Sequence, residues 1–168
     1  PINPYGKNKA NIESLLYDVC YSDPKWSICC LRYFNPIGAH ESGLIGECNY
    51  LNAKNLLPMI NKVITGEEKF LKIFGSNLNT RDGTGIRDYI HVMDIANAHI
   101  KAIDYLKIKK GMNIYNLGSG KGYSVLEILK TTEKYLDQTI PFKFYPSREG
   151  DVVSIYCNRE NALIDLNW

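Results

Sequence analysis

A tyrosine and a lysine four residues apart, Tyr5 and Lys9, are the first side chains that could carry out chemistry together. Asn3-Pro4 stands before them, and because Asn is a favoured N-cap and Pro fits the first helical position, a helix is predicted to begin at Pro4. Residues four apart lie on one face of a helix. A phenol abstracts a proton at neutral pH only when a nearby cation stabilises the phenolate, and a lysine one turn away is such a cation. The alternative is a frayed first turn whose two side chains both reach water.

Both side chains fall on the apolar stripe of this predicted helix. At about 100° per residue, Lys9 lies roughly 40° from Tyr5, and Ile12, Leu16 and Val19 lie close to the same line. An unpaired charge is costly to bury, so a lysine on a core-facing stripe needs a reason. We therefore interpret the two residues as a catalytic pair, with Lys9 buried.

The composition describes an ordinary globular chain of 168 residues with 45% hydrophobic residues and a net charge of +2. Such a balance predicts no nucleic-acid partner and no membrane partner. The cysteine number is odd and no CxxC occurs, which favours reduced, unreactive thiols in a cytoplasmic protein and no metal site; the five are Cys20, Cys29, Cys30, Cys48 and Cys157. Because the chain begins with Pro1 and not Met, we expect it to be a piece of a longer protein.

The first helix, predicted to end near Tyr21, is followed by an almost continuously apolar segment, residues 27–34. This pattern predicts a parallel strand buried on both faces and ended by Asn35-Pro36. Open α/β sheets bind ligands at the carboxyl ends of their strands, so Tyr33 and Asn35 are expected beside a ligand. The alternative is a core tyrosine and a turn asparagine.

The rest of the chain alternates between helical and strand patterns, which predicts an α/β fold. Helices are predicted at 55–65 (ended by Gly66), from Asp94 to about 106 with an apolar face that includes Ile103, from 125 to about 136 after a Ser124–Glu127 capping box, and after Asn158. Strands are predicted at 70–74, 87–92, 114–117, 142–145 and 154–157, with a long loop at 75–85. The glycine-rich run at 118–122 matches neither a P-loop nor a dinucleotide fingerprint and is interpreted as a tight turn.

Two arginines, Arg87 and Arg148, stand where a loop meets a strand and could bind a phosphate through bidentate hydrogen bonds. Each could equally be an ordinary ion-pair partner. The histidines, His40, His91 and His99, lack the spacing of metal ligands and are interpreted as structural.

Several motifs together resemble the UDP-glucose 4-epimerase family of the extended short-chain dehydrogenase/reductase superfamily. They are NPYGKNK at 3–9, LRYFNPIGAH at 31–40, NLLP at 55–58, DGTGIRDYIHVMDIA at 82–96, IYNLGSGKGYSV at 114–125 and REGD at 148–151. The resemblance implies the C-terminal part of a Rossmann-type NAD-binding domain at 1–36 and a small mixed α/β substrate-binding domain at 37–168. Residues 87–107 would return to pack on the first domain.

The resemblance implies NAD-dependent interconversion of UDP-galactose and UDP-glucose, a step of galactose metabolism in the Leloir pathway. Tyr5 would move the proton of the sugar 4-hydroxyl, Lys9 would hold the nicotinamide ribose, and Tyr33 would contact NAD. It also implies a cytoplasmic homodimer that pairs through the helix of Tyr5 and Lys9.

The substrate, a UDP-hexose, would by the same resemblance meet residues from several segments. Sugar, uracil, diphosphate and uridine-ribose contacts would come from Asn35, Asn55, Leu56, Lys72, Ile73, Phe74, Arg87, Tyr89, Arg148 and Asp151. Ile155 would gate the sugar pocket, and its intermediate size predicts weak or no activity on UDP-N-acetylglucosamine. Residues 48–54 depart from the usual family pattern, which affects how Asn55 and Leu56 are placed.

Three alternatives remain. The first is another NAD-dependent nucleotide-sugar enzyme, a dehydratase or decarboxylase, and the second is a non-catalytic nucleotide-sugar-binding or partner-binding domain. The third is a plain structural module, which would leave an inward-facing Lys9 unexplained. The family's glycine-rich NAD turn and catalytic Ser or Thr have no equivalent here, so the 168 residues alone are expected to lack epimerase activity and to expose apolar surface at 28–34.

Overall fold

The structure, a computed structural model, describes residue 1, residues 3–47 and residues 55–168. Along these residues the helices are α1 (Pro4–Ser22), α2 (Leu56–Ile64), α3 (Val92–Leu106), α4 (Val125–Leu136) and α5 (Glu160–Asp165). The strands are β1 (Ser27–Tyr33), β2 (Asn35–Ile37), β3 (Leu71–Phe74), β4 (Ile86–Arg87), β5 (Tyr89–His91), β6 (Gly111–Leu117), β7 (Tyr123–Ser124), β8 (Phe142–Tyr145) and β9 (Ser154–Ile155). The predicted α/β architecture is present.

The first layer is the parallel pair β1–β6, in which Ser27 lies opposite Gly111 and Tyr33 opposite Leu117. Helix α1 packs on both strands, while α3 packs on β1 and α5 on β6. The buried cluster on the α3 and α5 side contains Ile90, Ile95, Ala98, Tyr115, Leu117, Ala162 and Leu166. Hydrophobic burial of this kind is what holds an α/β layer together.

Helix α1 begins as the sequence predicts. The Gly6 N–H donates to Asn3 Oδ1 at 2.8 Å, so Asn3 is the N-cap, and Pro4 takes the first helical position. Arg32 on β1 forms a bidentate ion pair with Glu13, with Nε to Oε1 at 2.7 Å, and this pair ties the helix to the strand.

The prediction that β1 is buried on both faces is wrong for the described part of the chain. Its side chains are partly buried from Ser27 to Leu31, and Arg32 and Tyr33 are exposed. The reason is that β6 is the one strand paired with β1 among the described residues, so the other edge of β1 has no neighbour there.

Strand β1 ends at Tyr33, just before Asn35-Pro36, as predicted, but a second strand that was not predicted, β2, begins at Asn35 and pairs in parallel with β5. The chain changes sheets here: the Phe34 N–H donates to Leu117 O at 3.0 Å, and the Asn35 N–H donates to Asp88 O at 2.9 Å. Pro36 lacks an N–H but is tolerated in a short strand with a single partner.

A second core lies between α2, β3 and α4. Its buried residues are Ile60, Val63, Leu71, Ile73, Leu129 and Ile140. Strand β3 pairs in parallel with β8, with Leu71 opposite Phe142 and Phe74 opposite Tyr145. Helix α2 ends at Ile64, and Gly66 takes a φ of +79°, as a glycine that terminates a helix does.

The predicted strand at 87–92 is divided in two at Asp88, and Val92 already belongs to α3. The predicted cap Asp94 is wrong: His91 is the N-cap and its Nδ1 accepts from the Met93 N–H at 3.2 Å. Ile103, assigned to the inner face of this helix, is 60% exposed because nothing in the described chain covers that side.

The predicted capping box of α4 is confirmed, since Ser124 Oγ accepts from the Glu127 N–H at 3.1 Å and Glu127 Oε2 accepts from the Ser124 N–H at 2.8 Å. Ser124 Oγ also donates to Asp82. Asp82 Oδ1 accepts from the Thr84 N–H at 2.9 Å and from its hydroxyl at 2.7 Å. The loop at 75–85 is therefore tied to the start of α4.

The remaining outcomes are mixed. The strand predicted at 154–157 stops at Ile155, and the one predicted at 114–117 extends back to Gly111. Cys20, Cys29, Cys30 and Cys157 are free, and burial raises the pKa of Cys29 and of Cys157 to about 11, which favours the protonated thiol at both positions. Cys48 lies outside the described residues.

None of the described helices has the length and hydropathy needed to cross a bilayer.

Gly83 offers a stability test of the loop at 75–85. Its φ is +81°, and a Cβ there would lie 2.2 Å from Ser76 O; Gly66 has φ +79° with open space around it. Both Gly→Ala changes should cost about 1–2 kcal/mol for the left-handed backbone, and Gly83→Ala should lose a further 1–3 kcal/mol or so because the backbone must shift. Urea unfolding of the two variants measures the difference, and equal losses would contradict the described packing of this loop.

Candidate functional site

The structure contains a cavity of about 1000 Å³ beside the second core. Its walls come from β2, the start of α2, strand β3, the β4–β5 region and the segment at 147–152. The predicted substrate residues that line it are Asn35, Asn55, Leu56, Lys72, Ile73, Phe74, Arg87, Tyr89, Arg148 and Asp151. Residues spread over more than a hundred positions of the sequence thus meet around one space.

Arg87 and Tyr89 enter the cavity from the same side of the chain, because side chains two apart in an extended segment share a face. Arg87 is partly buried, and its Nη1 donates to Ile86 O at 2.9 Å. Among the described residues no carboxylate lies within ion-pair distance of this guanidinium. Burial raises the pKa of Tyr89, although the charge of Arg87 opposes that rise. The cavity therefore contains a cation whose charge the described chain leaves unneutralised.

Arg148 and Asp151 face each other across a short turn, with Arg148 Nε 3.5 Å from Asp151 Oδ2. The guanidinium carbon of Arg148 also lies 4.4 Å from the centroid of the Phe74 ring, a cation–π contact. Both charged side chains are about half exposed, so the pair is weak and its groups can turn toward a ligand.

Asn55, which lines the cavity, is held by a residue that precedes 48–54 in the sequence: its Nδ2 donates to Glu47 Oε1 at 2.7 Å. The prediction about the altered turn at 48–54 lies outside the described residues. Ile155 does not line the cavity; it is 41% exposed on β9, directly opposite Arg87 in the parallel pair.

Tyr5 and Lys9 lie together on α1, with Lys9 Nζ 5.4 Å from the centroid of the Tyr5 ring. The prediction that they are buried is wrong for the described chain: Tyr5 is 71% exposed, Lys9 is exposed, and α1 has no buried residue. Leu16 and Val19, later on the same stripe, are partly buried where the helix packs on β1–β6, but no described element covers its first turn at Tyr5. Neither residue lines the cavity.

Tyr33, at the carboxyl end of β1, also lies outside the cavity lining. Its hydroxyl is 2.6 Å from His99 Nε2. Because His99 Nδ1 is 2.8 Å from Ile95 O, Nδ1 must donate, and in the neutral ring Nε2 accepts from Tyr33. The spacing of His99 on α3 places it on the helix face toward β1, but its partner 66 residues away left no signal in the sequence.

Sequence reasoning missed Asp88. This side chain is fully buried, and its carboxylate accepts hydrogen bonds from the Ser119 N–H and hydroxyl, the Gly120 N–H and the Cys157 N–H, at 2.6–3.2 Å. Burial by itself would raise the pKa of Asp88, but these hydrogen bonds outweigh it and hold the pKa below its usual value. A carboxylate inside an otherwise strand-like run was the one sequence signal available.

Comparison with known proteins gives one family and a consistent set of relatives. The model of the NAD dependent epimerase/dehydratase family matches residues 1–118. The UDP-glucose 4-epimerase of Bos taurus is 49% identical over 166 residues, and that of Homo sapiens is 48% identical; each alignment covers 99% of this chain and 48% of the relative. The chain spans about half the length of the curated relatives it matches.

Solved structures show the same likeness. The UDP-glucose-4-epimerase of Stenotrophomonas maltophila with bound NAD and formylated UDP-arabinopyranose superposes with a TM-score of 0.94 at 41% identity, over 99% of this chain and 49% of that one. The Bifidobacterium longum UDP-glucose 4-epimerase in complex with NAD⁺ and UDP gives a TM-score of 0.93 at 47% identity, over 99% and 50%. The predicted fold class, α/β with part of a Rossmann-type arrangement, is confirmed.

The buried Asp88 carboxylate predicts a loss of stability in acid. Its native pKa lies below the ordinary value of 3.8, so its contribution to the free energy of unfolding is complete above that value and is lost as the pH falls through the native pKa. Urea unfolding between about pH 3 and pH 6 should show a shallower pH dependence in Asp88→Asn than in the parent.

Asp104→Asn is the matched control, since Asp104 is an exposed carboxylate whose pKa is lowered by Lys107. An exposed pair is screened by salt, so this variant should keep the parent's pH dependence. A parent-like profile for Asp88→Asn would contradict the described hydrogen bonding.

Proposed function

Because this chain belongs to the NAD dependent epimerase/dehydratase family, we propose that the whole protein interconverts UDP-galactose and UDP-glucose, with NAD as the hydride carrier. The observation that carries this proposal is the cavity of about 1000 Å³, which is lined by all ten of the residues expected to surround the nucleotide sugar. The epimerases of known structure with NAD and a UDP compound bound support it.

The diphosphate is assigned to Arg87. A guanidinium without a carboxylate partner in the described chain offers bidentate hydrogen bonds to phosphate, and partial burial strengthens the attraction. The Tyr89 hydroxyl has no hydrogen-bond partner among the described residues and stands beside this arginine as a second donor.

The uridine end is assigned to the wall formed by Phe74, Arg148 and Asp151. Aromatic and guanidinium planes stack on a flat base, and a carboxylate accepts hydrogen bonds from ribose hydroxyls. Lys72 and Ile73 flank this wall on β3, while Asn35, Asn55 and Leu56 line the side left for the hexose. Because both sugars carry the same nucleotide, gripping it binds substrate and product alike and leaves the hexose free to turn.

Tyr5 and Lys9 fit the requirements of an NAD site, because they present two polar groups on one exposed helix face, and Lys9 has no carboxylate partner in the described chain. Lys9 would hold the nicotinamide ribose, and Tyr33 would meet the cofactor at the carboxyl end of β1. When bound, NAD would accept a hydride from carbon 4 of the hexose and return it to the resulting 4-keto sugar. Tyr5 takes the 4-hydroxyl proton and gives it back, and the Lys9 ammonium stabilises the phenolate.

We also propose that the protein is a cytoplasmic homodimer that pairs through α1. Leu15 and Tyr17 on this helix are each more than 60% exposed, as expected of residues covered by a second copy. The free Cys20, Cys29, Cys30 and Cys157 support a reducing compartment. The domain boundaries at 1–36 and 37–168, and the proposed sugar-gating role of Ile155, stay predictions.

The proton-transfer role predicts that Tyr5→Phe in the full-length protein lowers kcat for UDP-galactose by about 10²–10⁴-fold, the usual contribution of a general acid–base group. UDP affinity should stay within about twofold, because the cavity does not include Tyr5. Tyr21→Phe removes the same hydroxyl from the same helix at an 83% exposed position and should leave both values unchanged. Parent-like turnover in Tyr5→Phe would contradict the proton-transfer role, whereas a parent protein that binds UDP but does not turn over UDP-galactose would favour a non-catalytic nucleotide-sugar-binding protein.

The diphosphate role predicts that Arg87→Gln weakens UDP binding by roughly 10- to 150-fold, the equivalent of one charge-assisted contact. Calorimetric titration of the full-length protein with UDP measures this loss. Arg81→Gln is the matched control, because Arg81 is an ion-paired arginine bound to Glu127 outside the cavity. Equal losses in both variants would point to a general charge effect and would contradict the assignment.

A further inference from the structure

The chain passes from one sheet to another at Asp88. Strand β4 lies between β7 and β9, whereas β5, which starts one residue after Asp88, pairs with β2. The backbone oxygen of Asp88 accepts from the Asn35 N–H at 2.9 Å, so this residue also contacts the start of β2. Asp88 is thus the one residue between two strands of different sheets, and both sheets line the same cavity.

The side chain of Asp88 fixes this corner from the opposite face. Oδ1 accepts from the Ser119 N–H at 2.7 Å and from its hydroxyl at 2.6 Å. Oδ2 accepts from the Gly120 N–H at 3.0 Å and from the Cys157 N–H at 3.2 Å. Both oxygens are occupied by donors from the turn after β6 and the segment after β9.

The Asp88 carboxylate is packed so closely that the neighbouring Gly118 has no space for a side chain. A Cβ on Gly118 would lie 2.6 Å from Asp88 Oδ2 and 2.7 Å from Cys157 Sγ. The carboxylate is fully buried, so water does not compete for these hydrogen bonds. The position of Asp88 is therefore set by its hydrogen bonds to Ser119, Gly120 and Cys157 and by its close contact with Gly118.

Residues on either side of Asp88 point the other way, into the cavity, because side chains alternate along an extended chain. They are Arg87 and Tyr89, the two groups assigned above to the diphosphate. We propose that Asp88 is a positioning residue for nucleotide binding: by holding the corner between the two sheets, it aims Arg87 at the diphosphate. This inference rests on the proposed function of the cavity.

An amide cannot replace the carboxylate here. Three of the four contacts of Asp88 are backbone N–H groups, which can only donate, and in either orientation of the amide Asn would present its NH₂ group to at least one of them. Asp88→Asn in the full-length protein should therefore weaken UDP binding by about 10-fold or more. It should raise KM for UDP-galactose by a similar factor and change kcat much less, because Tyr5 and Lys9 lie elsewhere.

Asp82→Asn is the matched control. Asp82 also accepts hydrogen bonds from buried groups, those of Thr84 and Ser124, but neither Asp82 nor its neighbours Arg81 and Gly83 line the cavity. This variant should lower Tm yet keep the parent's UDP affinity within about twofold. A similar loss of UDP affinity in Asp82→Asn would make Asp88 a merely structural residue and overturn the proposal.

A double-mutant cycle with Arg87→Gln tests how Asp88 acts. If Asp88 works through Arg87, then Asp88→Asn should cost little further UDP affinity once Arg87 is replaced, whereas independent effects would multiply. Multiplied losses overturn the positioning role and leave the proposed function intact. An Arg87→Gln single variant with unchanged UDP affinity instead refutes the proposed diphosphate site, and the inference falls with it.

Ser119→Ala keeps the test open if Asp88→Asn fails to fold. It deletes one of the four donors, the hydroxyl, and leaves the Ser119 N–H bond in place. UDP affinity should fall by a few-fold and the loss should again disappear in the Arg87→Gln background. Parent-like UDP affinity in a folded Ser119→Ala variant would overturn the inference.

Discussion

The hydrogen bonding of one buried carboxylate, that of Asp88, joins three separate parts of the described chain. A charge taken out of water is costly unless its oxygens are fully satisfied. Here the donors are neutral N–H and O–H groups from two segments, the turn at Ser119 and Gly120 and the residue Cys157, which lies 69 positions further along the chain than Asp88. The carboxylate is satisfied only when both of these segments are in place, so the cost of its burial makes assembly of the corner all-or-none.

The same corner lies between two separate cores. Ile90, two residues after Asp88, belongs to the core formed with α3, α5 and the β1–β6 pair, whereas Ile73 belongs to the core between α2, β3 and α4. The cavity takes its walls from the second core, through Ile73, and from the β2–β5 pair, through Asn35 and Tyr89, the latter directly before Ile90 of the first core. Its shape therefore depends on how the two cores are placed relative to each other, and the corner is one of the connections that place them.

Local features of this structure could be predicted from the sequence, and features that depend on distant partners could not. The Asn3 cap and the Ser124–Glu127 box follow from residues three apart, and both were predicted correctly. The β2 strand at Asn35 and the burial of Asp88 depend on pairings with residues far away in the chain. The cap by His91 is local, because it accepts from the Met93 N–H, but His is not among the favoured N-cap residues. The cavity residues were named through a family resemblance, because no local pattern brings Asn35 and Arg148 together.

The error at Lys9 has a different physical origin and bears on how the proposed reaction would work. Periodicity shows which side chains share a stripe, but it does not show what covers the stripe, and in the described chain nothing covers Tyr5. A cation beside a phenol in water, with a dielectric constant of about 80, attracts the phenolate only about a quarter as strongly as at an effective value of about 20. The helix therefore supplies the geometry of the pair but not its strength. Under the proposed function, that strength arrives when the cofactor and the nucleotide sugar lie over the pair and exclude water, so proton transfer at Tyr5 is coupled to occupation of a cavity whose cation is already in place.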